Sequence, residues 1–198
     1  MNKDKCSICR KFGTKLFLKG QRCLTPKCSL TRRNYPPGIG GPKAKSVRRS
    51  EYGHELVEKQ KAKAEYGMRE RQFSRTFKKA AKDKESTGEE LLRLLELRLD
   101  NVVYRLGWAA SRAQARQTVL HRKIKVNNRI VNIPSMVVKP KDILTPVDKS
   151  AVNFAKITPP KWLKQDAKEL KGEVLDTPKR EEIESDIDVQ LIIEFYSR

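Results

Sequence analysis

Cys6, Cys9, Cys23 and Cys28 are the residues whose type and spacing most directly imply chemistry. A C-x2-C pair, thirteen intervening residues and a C-x4-C pair make two ligand pairs joined by one loop. That pattern suits a tetrahedral structural Zn2+. Four thiolates around a divalent ion leave a formal negative charge, and Lys5, Arg10, Lys11, Arg22 and Lys27 beside them favour deprotonated sulfur. The same thiols could instead pair as disulfides, stand unrelated to one another, or hold another soft metal. Disulfides need an oxidising compartment, and the opening MNKDKCSICR is polar where a signal peptide would be apolar. One structural zinc on the four cysteines is therefore expected.

The second chemistry is electrostatic. The chain of 198 residues carries a net charge of +20, and that charge is unevenly distributed. Residues 1–50 hold fourteen Lys or Arg against one acid, Asp4, whereas 51–90 net only +1, 91–149 net +8 and 150–198 net −2. Two basic blocks alternating with two near-neutral ones suggest two polyanion-facing modules on a scaffold, with nucleic acid as the partner. No apolar run approaches the length of a membrane span, and no lipidated or amphipathic anchor is evident, so no membrane partner is expected. No glycine-rich phosphate loop, acid/base pair or base-activated nucleophile appears either. No catalytic residues are assigned, and the chain is read as a cytoplasmic binding protein and not an enzyme.

The elements that must position these groups follow from local pattern. Around Pro36, Pro37, Gly38 and Pro42 the chain is an irregular connector, with Arg32, Arg33, Arg48 and Arg49 as paired cations flanking Tyr35. Residues 47–84 are helical in character with a break at Gly67. Residues 87–106 predict one helix, opened by a Thr87–Glu90 capping box and stopped by Gly107, with Leu92, Leu95, Leu99, Val102 and Leu106 on one stripe. Ser111 with Gln114 opens another helix to about His121. Arg112 and Arg116, at i and i+4 near its N-terminus, suit phosphate, which helix N-termini already attract. His121, Arg122, Lys123, Lys125 and Arg129 prolong the cationic surface into a hairpin, with Asn127-Asn128 as a type I′ turn. His121, without an acid or Cys placed to activate it, suits a phosphate or base contact. Short strands are expected at Met136–Val138 and Asp142–Thr145, and an apolar strand in the closing LIIEFY.

RLDNVVYRLGWAASRAQARQTVLHRKIKVNNRIVNIPS (98–135) resembles the RNA-binding domain named after the fourth protein of the bacterial small ribosomal subunit. KGQRCLTPKCSLTRRNYPPG (19–38), EKQKAKAEYGMRERQF (58–73) and VQLIIEFYSR (189–198) are similar to that ribosomal family in order and separation, and the cysteine spacing is similar to its zinc-bearing form. Arg122-Lys123, Asn128 and Lys141 depart from it, standing where the family often has glycine-containing turns. The resemblance implies an α+β protein: a zinc-stapled basic N-terminal segment and helical domain, with an inserted small helix–helix–β-hairpin RNA-binding module. The expected divisions are 1–46 for the basic cysteine-bearing region and connector, 47–90 for the first part of the helical domain, 91–150 for the inserted module and 151–198 for a return segment. It further implies direct binding of small-subunit ribosomal RNA early in assembly. The expected RNA contacts are Arg10, Lys11, Lys15, Arg32, Arg33, Arg48, Arg49, Arg112, Arg116, His121, Arg122, Lys123, Lys125 and Arg129. Expected neighbours are other small-subunit proteins, notably the fifth, and mRNA where it enters the subunit, with an influence on translational accuracy. No homo-oligomer is expected.

Overall fold

The structure, a computed structural model, describes residues 4–43, 49–83, 86–148, 152, 158–166, 170–183 and 185–198. The chain divides into two compact units, Met1–Phe73 with Asp186–Arg198, and Ser74–Ser185. The strands at 163–174 fall in the second unit.

The first unit holds α1 (Lys5–Phe12), α2 (Ser29–Arg32), α3 (Glu51–Glu65) and α8 (Val189–Ser197), together with the first turn of α4 (Glu70–Ala80). Ser50 Oγ caps α3 by accepting from the Gly53 N–H at 3.3 Å. The closing LIIEFY is a helix, not the expected strand. Asp188 caps it by accepting from the Gln190 N–H at 3.0 Å. Helical spacing then buries Ile192 and turns Phe195 and Tyr196 toward α3 and α4, where Phe195 stacks on Tyr52 and Tyr196 on Phe73. Tertiary packing outweighs the β-propensity of the Ile-Ile pair. Lys59, 5% exposed, sits over both rings and donates to Glu70 at 3.0 Å.

The second unit carries the rest of α4, then α5 (Thr87–Glu96), α6 (Leu99–Arg105), α7 (Arg112–Leu120) and a five-stranded antiparallel sheet. Its strands are β1 (Ile124–Val126), β2 (Arg129–Val131), β3 (Ile143–Pro146), β4 (Leu163–Asp166) and β5 (Lys171–Val174), in the order β2-β1-β3-β5-β4. The core joins α6 and α7 to this sheet through Leu99, Val102, Leu106, Trp108, Val119, Ile124, Leu144 and Val174. At Gly172 an added Cβ would stand 2.4 Å from Leu106 Cδ1, so only glycine lets β5 approach the fully buried leucine.

The single helix expected over 87–106 is two. Leu97 O, Leu99 N and Asp100 N bond to Val138 N, Met136 O and Pro134 O, so the crossing segment takes backbone groups that a continuous helix would need. Nor does Thr87 cap α5: it lies inside the helix and its hydroxyl donates to Asp83 O at 2.7 Å. The strand expected at Met136–Val138 reduces to one isolated bridge, Arg98 with Val137.

Four of the six described non-glycine residues with left-handed backbone lie in three turns of the second unit. Asn127 and Asn128, at φ 48° and 66°, make the expected I′ turn, and the Asn127 side chain donates to Asp142 at 2.7 Å and accepts from Ile143 N at 2.9 Å. Arg122, at φ 59°, follows α7 in a Schellman motif closed by Lys123 N–H to Thr118 O. The same motif ends α6 with Gly107. Lys141, at φ 71°, is the third residue of a turn closed by Asp142 N–H to Lys139 O, a type II position that favours glycine. Lys141→Gly is therefore expected to stabilise the protein by about 1 kcal/mol, read as a higher urea midpoint; an unchanged or lower midpoint contradicts the turn assignment.

Glu70 ties acid stability to the first unit. Burial opposes its ionisation, but hydrogen bonds from Lys63, Lys59 and Tyr196 outweigh that and hold its carboxyl down to about 2, against an ordinary 4.5. Because the unfolded chain takes up this proton first, the contribution is whole above pH 4.5 and is lost as pH falls toward 2. Glu70→Gln should flatten stability against pH across that window in acid titrations followed by circular dichroism; an identical slope in the variant contradicts it.

Candidate nucleic-acid interface

The site begins with two buried acids at the corner between α5 and α6. Glu96, 1% exposed, accepts from Arg105 at 2.9 and 3.0 Å and from Asn101 Nδ2 at 2.8 Å. Asp100, 4% exposed, is gripped by the Arg98 fork at 3.1 and 2.9 Å, with Arg116 Nη1 3.6 Å away. Asn101 Oδ1 in turn accepts from Arg112 Nε at 2.8 Å, and the Arg112 guanidinium lies 4.9 Å from the centre of the Tyr104 ring. Two carboxylates thus organise four arginines, leaving the corner cationic. The acids do not neutralise the corner; they fix where its guanidiniums stand, which reduces the entropy lost when those side chains bind.

Both arginines expected from their i, i+4 spacing fall within this network, on the first two turns of α7. Ser111 Oγ caps that helix, accepting from Gln114 N–H at 3.3 Å. The reciprocal bond differs from a capping box: Gln114 Oε1 accepts from Ala110 N–H at 2.9 Å. Beyond α7, His121, Arg122, Lys123 and Arg129 are exposed and Lys125 half-exposed, on the β1 face opposite buried Ile124 and Val126. The carboxylates, Asn101 and Tyr104 that hold the arginines escaped the sequence reading. Their signal was the polar pair Asp100-Asn101 inside an otherwise apolar stripe.

In the first unit Arg10 serves the fold. Its guanidinium donates to Tyr35 O at 3.0 Å and Pro36 O at 3.2 Å and lies 4.7 Å from the Tyr35 ring centre, fastening the proline-rich connector to α1. Lys11, Lys15, Arg32, Arg33 and Arg49 are exposed, and Arg48 lies outside the described residues. The four cysteines are free thiols lining one small cavity, three of them buried. Burial pushes the Cys9 thiol up, aided by repulsion from Cys23, Cys6 and Cys28 and opposed by the Leu16 N–H. For Cys28, burial is outweighed by donors from Thr31 and Leu30, and the thiol is held down. Lys19 N–H reaches Cys23 Sγ at 3.4 Å. Among the described residues, however, no three His, Cys, Asp or Glu side chains form a group that could hold a metal ion. The donor set suits zinc in kind and neighbourhood.

Ordered guanidiniums on a helical corner, continued by a cationic hairpin, define the class: a protein that presents a preformed positive surface to a polyanion. Residues 1–96 match the family described as Ribosomal protein S4/S9 N-terminal domain, and residues 97–144 match the S4 domain. The chain is 52% identical over 200 residues to small ribosomal subunit protein uS4 of Dictyoglomus turgidum, covering 98% of this chain and 96% of that one. The uS4 proteins of Dictyoglomus thermophilum and Pelotomaculum thermopropionicum are 51% and 49% identical, with the same coverage. The chain belongs to the uS4 family of small-subunit ribosomal proteins. Its role is that of a ribosomal structural protein, not an enzyme.

Removing Glu96 would take two hydrogen bonds from half-buried Arg105 and one from buried Asn101. Glu96→Ala is expected to cost about 3–5 kcal/mol in urea unfolding. A loss under about 1 kcal/mol would mean the network is not the keystone of this corner.

Proposed function

We propose that this chain is a structural constituent of the small ribosomal subunit, binding small-subunit rRNA directly and nucleating assembly of the subunit body. The observation that carries this reading is the arginine corner, where Glu96 holds Arg105, Asn101 (itself bonded to Glu96) holds Arg112, and Asp100 faces Arg116. Affinity comes from cations replacing counterions on phosphates and is strongly salt-dependent. Specificity comes from the shape of folded RNA, since the A-form major groove is too narrow for side chains to read.

Neighbouring ribosomal proteins, the fifth small-subunit protein among them, are the second class of partner. The groove between α3 and α8 supports this. In a chain of net +20 it is lined by Glu51, Glu55 and Glu194; Arg198 pairs with Glu55 Oε1 at 2.7 Å and lies 4.0 Å from Glu51, while the second carboxylate oxygen of Glu55, 3% exposed, has no hydrogen-bond partner among the described residues. Such a groove suits a cationic side chain from a basic neighbour. A position near the incoming mRNA, and with it an influence on accuracy, goes with the same placement in the cytoplasmic ribosome. No helix among the described residues is long and apolar enough to cross a membrane.

The zinc-bearing form is part of the proposal. Cys6, Cys9, Cys23 and Cys28 would hold one structural ion, which would cross-link α1 to the segment leading into α2; their shared cavity and the backbone N–H donors around the sulfurs support it. Footprinting on small-subunit rRNA with the intact protein and with Cys9→Ser tests both parts. The intact protein should protect a folded junction and carry one zinc by native mass spectrometry. Cys9→Ser should lose the metal and the N-terminal protections while keeping those from the second unit. Full zinc stoichiometry and an unchanged footprint in the variant would defeat the metal assignment; no preference for folded rRNA over unstructured RNA would defeat the binding assignment.

A further inference from the structure

The near-neutral block at 51–90 conceals a segregation of charge. On α3, Lys59 and Lys63 meet Glu70, and Lys61 meets Glu58. Glu70, the sole acid of α4, is consumed in those contacts and in accepting from Tyr196. Past it, no acid occurs before Asp83. Arg75, Lys78, Lys79 and Lys82 stand at i, i+3, i+4 and i+7, so they share one helix face, opposite buried Phe77 and Ala80. Lys82 lies just past the helix end, in a turn closed by its N–H to Lys79 O at 3.3 Å. All four side chains are exposed, and none forms an ion pair among the described residues.

Like charges at these spacings repel and weaken a helix. The helix dipole favours Lys78 and Lys79 in the last turn, but the effect fades within that turn and leaves Arg75 uncompensated. Lys59, Lys61, Lys63, Arg98 and Arg105, which brace the fold, are each given a carboxylate, whereas these four have none among the described residues. Over about 10 Å of axis they present a row of cations facing outward.

We propose that this α4 face is a further rRNA-backbone contact, separate from the arginine corner and the hairpin. It takes the phosphodiester backbone of the same rRNA, so the inference rests on the rRNA-binding reading above. The cations act as point charges on successive phosphates, adding affinity and fixing orientation without reading sequence.

The test compares two full-length variants that each lose three positive charges. One is Arg75→Gln/Lys78→Gln/Lys82→Gln. The other is Lys161→Gln/Lys164→Gln/Lys179→Gln, whose exposed lysines lie in and near the β4–β5 hairpin. Binding to a bacterial small-subunit rRNA transcript is measured from low to moderate salt, with hydroxyl-radical footprinting. Glutamine is a good helix former, and circular dichroism checks that α4 persists. The α4 variant should lower the slope of log affinity against log salt by about three and weaken binding roughly tenfold or more at physiological salt. It should also lose one discrete set of protections, with the others intact. The second variant should shift slope and affinity far less. Equal losses in both variants would mean net charge alone is at work and overturn the proposal. So would unchanged rRNA binding by the α4 variant, including the case where it fails instead to associate with an acidic protein neighbour. A wild-type protein indifferent to rRNA fold would sink the underlying reading instead, a distinguishable result.

Discussion

The burial of Glu96 and Asp100 is the constraint on which the second unit depends. An ionised carboxylate taken out of water must be repaid by well-placed donors, and here the donors are arginines. The exchange works in both directions. The acids need the guanidiniums to be tolerable in the interior, and the guanidiniums acquire fixed positions that a solvent-facing arginine lacks. A binding surface and a folding requirement are thereby made from the same contacts. Unlike an exposed basic tail, the corner is organised before any ligand arrives.

The first unit solves a related problem with different parts. Two cations of α3 are covered by rings and acids: Lys59 lies over Phe195 and Tyr196, and Lys63 shares Glu70 with it. Arg10 is spent on holding Tyr35 and the connector. Basic residues in this protein therefore divide into those that brace the fold and those that face outward, and sequence charge alone does not separate the two. A window average near zero can hide both an acid-rich groove and a bare cationic helix face, as it does over residues 51–90.

Much of the second unit was legible from spacing. The I′ hairpin, the helix opening at Ser111 and the stop at Gly107 all follow from local stereochemistry, which acts within a few residues. What escaped was non-local. The break between α5 and α6 arises because residues 134–138 claim the backbone groups around Arg98. The helical form of the C-terminus arises because α3 and α4 offer Tyr52, Lys59 and Phe73 to its rings. Strands β4 and β5 are short and largely polar, and only the buried alternation of Gly172 and Val174 marked them. Among the site residues, the arginines announced themselves by their spacing, while the acids that orient them look on paper like ordinary members of a helix.

The division of the chain has a consequence for biosynthesis. Ser74–Ser185 is contiguous, so all of its contacts become available once that stretch has emerged. The first unit is interrupted: its N-terminal portion must wait for Asp186–Arg198 to supply Ile192, Phe195 and Tyr196. During translation the later-made unit can therefore mature before the earlier-made one. The first unit is begun first and completed last, since Asp186–Arg198 must join the segment Met1–Phe73.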